Sequence, residues 1–137
     1  MRAHRKWERG MNRPISTLMQ HQVTVVDMDD TIARVESVFA SNALSWAPVM
    51  DGPQTVVGVI SAVDLLQFHA QERDANRVHA WQLCTYKPIM VSPDTPLHEV
   101  ARQMVARRIH HVVVMQAERV AGVVSSLDLL QALLLSP

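Results

Sequence analysis

Two Ser–Asp pairs at the same spacing are the residues of this sequence best placed to do chemistry: Ser61 with Asp64, and Ser125 with Asp128. Each follows an apolar run and precedes a leucine-rich one, and Ser-x-x-Asp before an apolar helical run is the pattern of a capping box. A hydroxyl and a carboxylate at a helix start have two uses open to them. They can satisfy the helix's own N–H groups, or they can also face a cleft and meet a ligand. A second cluster is cationic: Arg107, Arg108, His110 and His111 stand where the corresponding earlier stretch has Asn42, Ala43, Ser45 and Trp46. Such side chains beside a cleft neutralise phosphate, and Arg in a last helical turn also complements the helix dipole. The seven histidines show no His-x-x-x-His spacing and Cys84 is the only cysteine, so neither a metal site nor an intrachain disulfide is expected. With both serines accounted for as caps, no nucleophile system stands out and no enzymatic activity is expected.

These pairs sit inside an internal repeat. Gly58–Gln67 (GVISAVDLLQ) returns at Gly122–Gln131 (GVVSSLDLLQ), with seven of ten positions identical at an offset of 64 residues. The chain is therefore built from two copies of one unit. Earlier positions align at an offset of 65, as Val26 with Val91, Asp29 with Asp94 and Ile32 with Leu97. One residue is thus missing from the second copy, in the hairpin turn between Gln116 and Val120 that matches Asp51–Thr55, where a deletion is tolerated.

At 137 residues, with 48% hydrophobic and 19% charged, the chain has the composition of one globular domain or a compact pair of repeats. Thirteen basic residues balance thirteen acidic ones, which gives no global argument for a nucleic-acid or membrane partner. Five of those basic residues (Arg2, Arg5, Lys6, Arg9, Arg13) fall in the first thirteen positions, reading as a solvated arm. Met11 is an alternative start. No apolar region follows the basic residues as in a signal peptide, and no apolar run is long enough to span a bilayer. A soluble, cytoplasmic protein is expected.

The elements needed to position the Ser–Asp pairs follow from periodicity. The first copy reads as a lead-in turn (Ile15–Met19), a strand (Val23–Val26), a helix opened by Asp27, Asp29 and Asp30 and carried by Ile32, Val35, Val38, Phe39 and Ala43, a hairpin (Ala47–Met50, Thr55–Ile60) and a helix (Ser61–Glu72). The second reads as a lead-in turn (Trp81–Cys84), a strand (Ile89–Val91), a helix with a Ser92–Pro96 start and a proline in its first turn, a hairpin (His111–Met115, Arg119–Val124) and a helix (Ser126–Leu135). The predicted boundaries are a basic arm at 1–13, repeat 1 at 14–72, a linker at 73–79 and repeat 2 at 80–137. Each unit is β-α-β-β-α, with too little core to cover its own sheet. The expected fold is α+β (α/β-like), two tandem repeats packed sheet to sheet with pseudo-two-fold symmetry.

Tandem units of this order, each ending Gly-h-h-Ser-x-x-Asp-Leu-Leu, resemble a pair of CBS (cystathionine β-synthase) domains, or Bateman module. Met90–Leu97, Ile109–Val114 and Gly122–Leu130 carry the likeness in one copy, Val25–Ile32, Ala47–Met50 and Gly58–Leu66 in the other. The resemblance covers roughly residues 13–135. It implies a regulatory, non-catalytic module, often dimeric, with an adenine nucleotide (AMP, ADP, ATP) or S-adenosylmethionine as regulatory ligand in clefts between the repeats, and no required cofactor. Carried over by position, it assigns ribose binding to Asp64 and Asp128. Ser61 and Ser125 fall near the phosphates, and the adenine pocket falls on Val25, Ala47, Pro48, Val49, Met90, Val112, Val113 and Val114. The chemistry is consistent: a carboxylate accepts from both hydroxyls of a diol, and a helix N-terminus suits a phosphate.

Two departures from the family pattern stand out. Val25 and Met90 occupy a strand end that often carries Thr or Ser, and the hairpin proline Pro48 is Val113 in the second copy. The cationic cluster of Arg107, Arg108, His110 and His111 points to at most one good polyphosphate site, on the second copy. The first reading is a stand-alone, energy-sensing CBS pair that binds an adenine nucleotide and, as a homodimer, modulates an unidentified protein partner. The alternative is a dimerisation or docking scaffold with degenerate sites. A nucleic-acid contact through the arm is a third. Leu127–Leu135 carries more leucine than one helical stripe and is the expected dimer face, and Trp46 and Trp81 are expected in packing or dimer contacts.

Overall fold

The computed structural model describes residues 10–86 and 88–135, so most of the basic arm, residues 1–9, lies outside the described residues. The chain forms two contact units. One comprises Thr24–Pro88; the other joins the N-terminal segment up to Val23 to Ile89 and all that follows.

The first unit holds a four-stranded sheet in the order β1 (Val26–Asp27), β2 (Trp46–Asp51), β3 (Thr55–Ser61), β4 (Thr85–Tyr86), with helices α1 (Ile32–Asn42), α2 (Ala62–Ala70) and the short α3 (Ala80–Leu83). β1 runs parallel to β2, whereas β2–β3 and β3–β4 are antiparallel. The stripe of α1 buries Ile32, Val35 and Phe39, which pack with Ala47, Val49 and Ile60 of the hairpin, Leu65 and Phe68 of α2, and Val78, Ala80 and Cys84. At roughly 25 cal/mol per Å2 of apolar surface, this burial is the main stabilising term.

The second unit repeats the plan with β5 (Met90–Val91), α4 (Leu97–Arg107), β6 (His111–Gln116), β7 (Arg119–Ser125) and α5 (Ser126–Leu135), in a three-stranded sheet ordered β5-β6-β7. Its core is Val91, Leu97, Val100, Met104, Val112, Val114, Val124 and Leu129, joined by Met11 and Ile15 from the N-terminal segment. That segment is tied in by its backbone: Leu97 donates to the Arg13 carbonyl at 2.9 Å, Ile15 to Thr95 at 2.7 Å, and Gln20 exchanges hydrogen bonds with Val123 at 2.9 and 3.1 Å. The fold class is the expected α+β, with a β-α-β-β-α run in each repeat.

Both hairpins carry an irregularity after the fourth residue of their first strand, at Val49/Met50 and Val114/Met115. They differ in the turn as the offset requires. Asp51 pairs with Thr55 around a three-residue loop with Gly52 at φ 72°, and Gln116 pairs with Arg119 around Ala117 and Glu118 at φ 51° and 63°. Two consecutive positive φ values make a type I′ turn, built here without glycine.

Several local expectations are corrected. The first strand is Val26–Asp27, not Val23–Val26, and α2 ends at Ala70 rather than Glu72. Asp27, Asp29 and Asp30 do not open α1. Asp30 Oδ2 accepts from the Asp27 N–H, Asp27 Oδ1 accepts from the Asp29 N–H, and the cap is Thr31, whose side chain accepts from the Arg34 N–H. The carboxylates thus close a tight turn before the helix begins. Pro96 is the N-cap of α4 rather than a first-turn residue, and it offers no side-chain hydrogen bond. Strand β4 was not foreseen.

Candidate functional site

Each Ser–Asp pair lies where a strand passes directly into a helix. Ser61 is extended (φ −120°, ψ 164°) and caps α2. Its hydroxyl accepts from the Asp64 N–H at 3.2 Å, while Asp64 Oδ2 accepts from the Ser61 N–H at 2.8 Å and from its hydroxyl at 3.0 Å. The second copy matches: Asp128 Oδ2 accepts from the Ser125 N–H at 2.8 Å, and the Ser125 hydroxyl from the Asp128 N–H at 3.1 Å. Both are complete capping boxes.

The next amides are committed as well. Ala62 N–H donates to the Ser45 carbonyl at 2.9 Å and Ser126 N–H to the His110 carbonyl at 2.8 Å. Of the amides that a helix N-terminus leaves to be satisfied outside its own ladder, those of Val63 and Leu127 remain outside these bonds. A phosphate at either end would meet that single N–H, the serine hydroxyl and the helix dipole.

The sequence-predicted residues divide between the two units without mixing. Val25, Ala47, Pro48, Val49, Ser61 and Asp64 all fall in the first, and Met90, Arg107, Arg108, His110, His111, Val112, Val113, Val114, Ser125 and Asp128 in the second. In the ladder, Trp46 stands opposite Ser61, and His111 opposite Ser125. The structure therefore brings His110 and His111 to the same corner as Ser125 and Asp128. Arg107 closes α4 and Arg108 follows in the left-handed region at φ 54°, as Ala43 does at φ 52° in the first copy. Arg107, Arg108 and His110 are exposed and His111 is half-buried. Burial pushes the His111 imidazole below its ordinary value of 6.5, His110 adds to the effect, and Asp128 opposes it. A neutral His111 at neutral pH offers a hydrogen-bonding ring rather than a cation.

The strand residues behave in two ways. Ala47, Val49, Val112, Val113 and Val114 are fully buried and Pro48 is buried too, so their side chains belong to the interior. Val25 and Met90 are 42% and 49% exposed, apolar side chains left open beside β1 and at the start of β5. Pro48 also removes a donor: in the second copy Val113 N–H reaches the Ile89 carbonyl at 3.1 Å, a bond that a proline cannot make.

One residue of this corner was not anticipated. The Gln20 side-chain amide donates to Asp128 Oδ1 at 3.4 Å, across 108 positions of sequence. No local pattern marks it. The repeat offset does, since Gln20 corresponds to Thr85, and the two stand opposite Val123 and Val59. Elsewhere, burial pushes the Cys84 thiol up, away from the reactive thiolate. Among the described residues no three of His, Cys, Asp and Glu are grouped to hold a metal ion, and no helix is long and apolar enough to cross a membrane.

Comparison with known proteins gives a consistent result. Residues 15–70 and 80–135 each match the family model described as the CBS domain. The arabinose 5-phosphate isomerase KpsF of Escherichia coli is 27% identical over 115 residues, 83% of this chain and 35% of that protein. The gamma-3 subunit of 5'-AMP-activated protein kinase of Sus scrofa is 32% identical over 108 residues, 73% of this chain and 21% of that one. The chain thus spans about a third or less of these relatives. Among solved structures, the CBS domain of a bacterial CNNM/CorC family Mg2+ transporter in complex with ATP superposes with a TM-score of 0.86 at 18% identity, covering 96% of this chain and 94% of that one.

Proposed function

Because the chain belongs to the CBS domain family, as a tandem pair, we propose that it is a regulatory, non-catalytic module that binds an adenine nucleotide and modulates a protein partner. The observation that carries this reading is the corner of the second unit. There a half-buried carboxylate (Asp128), a serine hydroxyl (Ser125), the exposed cations Arg107, Arg108 and His110, and the open apolar side chain of Met90 belong to one small sheet and its helices. Asp128 suits a ribose diol, Ser125 and the Leu127 N–H suit a phosphate, and Arg107 and Arg108 supply charge for a polyphosphate. The first unit has the same carboxylate and hydroxyl in Asp64 and Ser61, with Trp46, Ser45 and Ala43 in place of the cationic residues, and takes a phosphate-poor ligand or none. Ala47–Val49 and Val112–Val114 would present backbone rather than side chains to the base. The CNNM/CorC domain solved with ATP and the kinase subunit named for 5'-AMP are relatives in keeping with this ligand class.

The scaffold reading draws on a specific observation too: both Ser–Asp pairs are complete caps, which by itself explains their presence. We further propose a homodimer through exposed apolar side chains on the last helix of each repeat, Val63 and Leu66 on α2 and Leu127, Leu130 and Leu134 on α5, which are 51–73% exposed.

Thermal unfolding with AMP, ADP, ATP and S-adenosylmethionine decides between the two. A ligand at about 100 times its dissociation constant adds about 2.7 kcal/mol. A raised midpoint that Asp128→Asn abolishes supports the nucleotide reading. No shift with any ligand leaves the scaffold.

A further inference from the structure

We propose that Gln20 is a ligand-binding residue of the second repeat's site, pairing with Asp128, and sets that site apart from the first. The inference rests on the nucleotide reading above. Its support is a side-chain asymmetry at matched positions. Gln20 and Thr85 occupy the same place in their units, each backbone opposite the same strand position, Val123 or Val59. In the second unit the Gln20 amide reaches Asp128 Oδ1 at 3.4 Å. In the first, Asp64 Oδ1 receives no hydrogen bond among the described residues. Thus Asp128 is held from both sides, by the Ser125 N–H on Oδ2 and by Gln20 on Oδ1.

A carboxylate only accepts, whereas an amide carries a carbonyl acceptor beside its donors. With an N–H spent on Asp128, the Gln20 carbonyl stays free next to Oδ1, which keeps a lone pair. The two form a paired acceptor matched to the two adjacent hydroxyls of a ribose. The shorter Thr85 side chain makes no hydrogen bond to Asp64, whose bonds go to Ser61, so the first unit lacks such a pair. The Gln20 backbone is fixed independently by its exchange with Val123, so a substitution of the exposed side chain leaves the segment docked.

The test is calorimetric titration of the full chain with ATP and with 2'-deoxy-ATP, in Asp64→Asn and Asp128→Asn backgrounds that isolate each site. In the Asp64→Asn background, Gln20→Ala should weaken ATP by about three- to tenfold, the range of one modest hydrogen bond, and lower the preference for ATP over its deoxy analogue. In the Asp128→Asn background the same change should leave the remaining site untouched. Gln20→Glu keeps the length but sets a like charge beside Asp128, so it should weaken ATP more than alanine does. A change in ribose preference is something that a purely structural role would not produce. ATP binding that depends on Asp128 but is indifferent to Gln20→Ala and Gln20→Glu overturns this inference alone. Absence of ATP binding in the parent chain overturns the nucleotide reading and this inference together.

Discussion

The carbonyl oxygen of Thr85 occupies the space that a side chain at Gly58 would need: a methyl group there would meet that oxygen well inside contact distance, and Cys84 Sγ at 2.9 Å. Gly122 has the same relationship to the N-terminal segment, with the Gln20 carbonyl oxygen at 2.7 Å and Met19 sulfur at 2.8 Å from a methyl built on it. The glycine that opens each repeated decapeptide is therefore where a lead-in segment runs closely alongside the strand. Gly58→Ala and Gly122→Ala should each lower stability by about 1–3 kcal/mol, the usual range for overpacking. Equilibrium urea denaturation reads the loss. Gly52, with open space around it, should cost less when changed to Ala, and what it does cost comes from its positive φ.

The caps should show nearly equal effects, since their geometry is nearly the same. Ser61→Ala and Ser125→Ala each remove the acceptor for an N–H at 3.1–3.2 Å. Each should cost about 1 kcal/mol, again read by denaturation. A loss confined to one copy would show that the other helix start is held by its strand contact alone.

His111 should make stability depend on pH. Its imidazole is held below 6.5, first by burial, so the folded state favours the neutral ring and the unfolded chain binds the proton more readily. The contribution is present above about pH 6.5 and is lost as pH falls through the lower folded value. Denaturation midpoints measured from pH 5 to 8 should rise with pH, and His111→Gln should flatten that part of the profile.

The second hairpin turn has room for improvement. Ala117 and Glu118 hold positive φ, which costs an L-residue about 1–2 kcal/mol at each position. Ala117→Asn with Glu118→Gly supplies the residues that a type I′ turn favours. It should raise the thermal midpoint without changing ligand affinity.

Most of what sequence patterning shows here is local. The repeat, the hairpins, the one-residue deletion and both Ser–Asp boxes all lie within stretches of a dozen residues, where period and capping chemistry are readable. Long-range partners were not readable. Strand β4 is two residues long and pairs with Gly58 and Val59 far upstream, and Gln20 meets Asp128 through a side-chain hydrogen bond that no local pattern marks. The acidic run Asp27–Asp30 misled because carboxylates serve helix starts and tight turns alike, and only Thr31 was placed to cap. Of the carried-over strand residues, Ala47–Val49, Met90 and Val112–Val114 lie in strands and Val25 just before β1, and their pattern said nothing about burial. Val49 and Val114 are interior, whereas Val25 and Met90 are open.

The pairing of the N-terminal segment with residues 89–135 has a consequence for the order of synthesis. Translation releases residues 10–23 well before their partners at Thr95, Leu97 and Val123. The stretch Thr24–Pro88 has all its own sheet partners once Pro88 has left the ribosome, and can organise while synthesis continues. Buried Met11 and Ile15 meanwhile wait, apolar and uncovered, until the residues of their core from Val91 to Leu129 have been made. Strand β7 thus supplies the backbone partner of a segment made long before it, and a ribosome that stalls before Val123 leaves that segment exposed to chaperones and proteases.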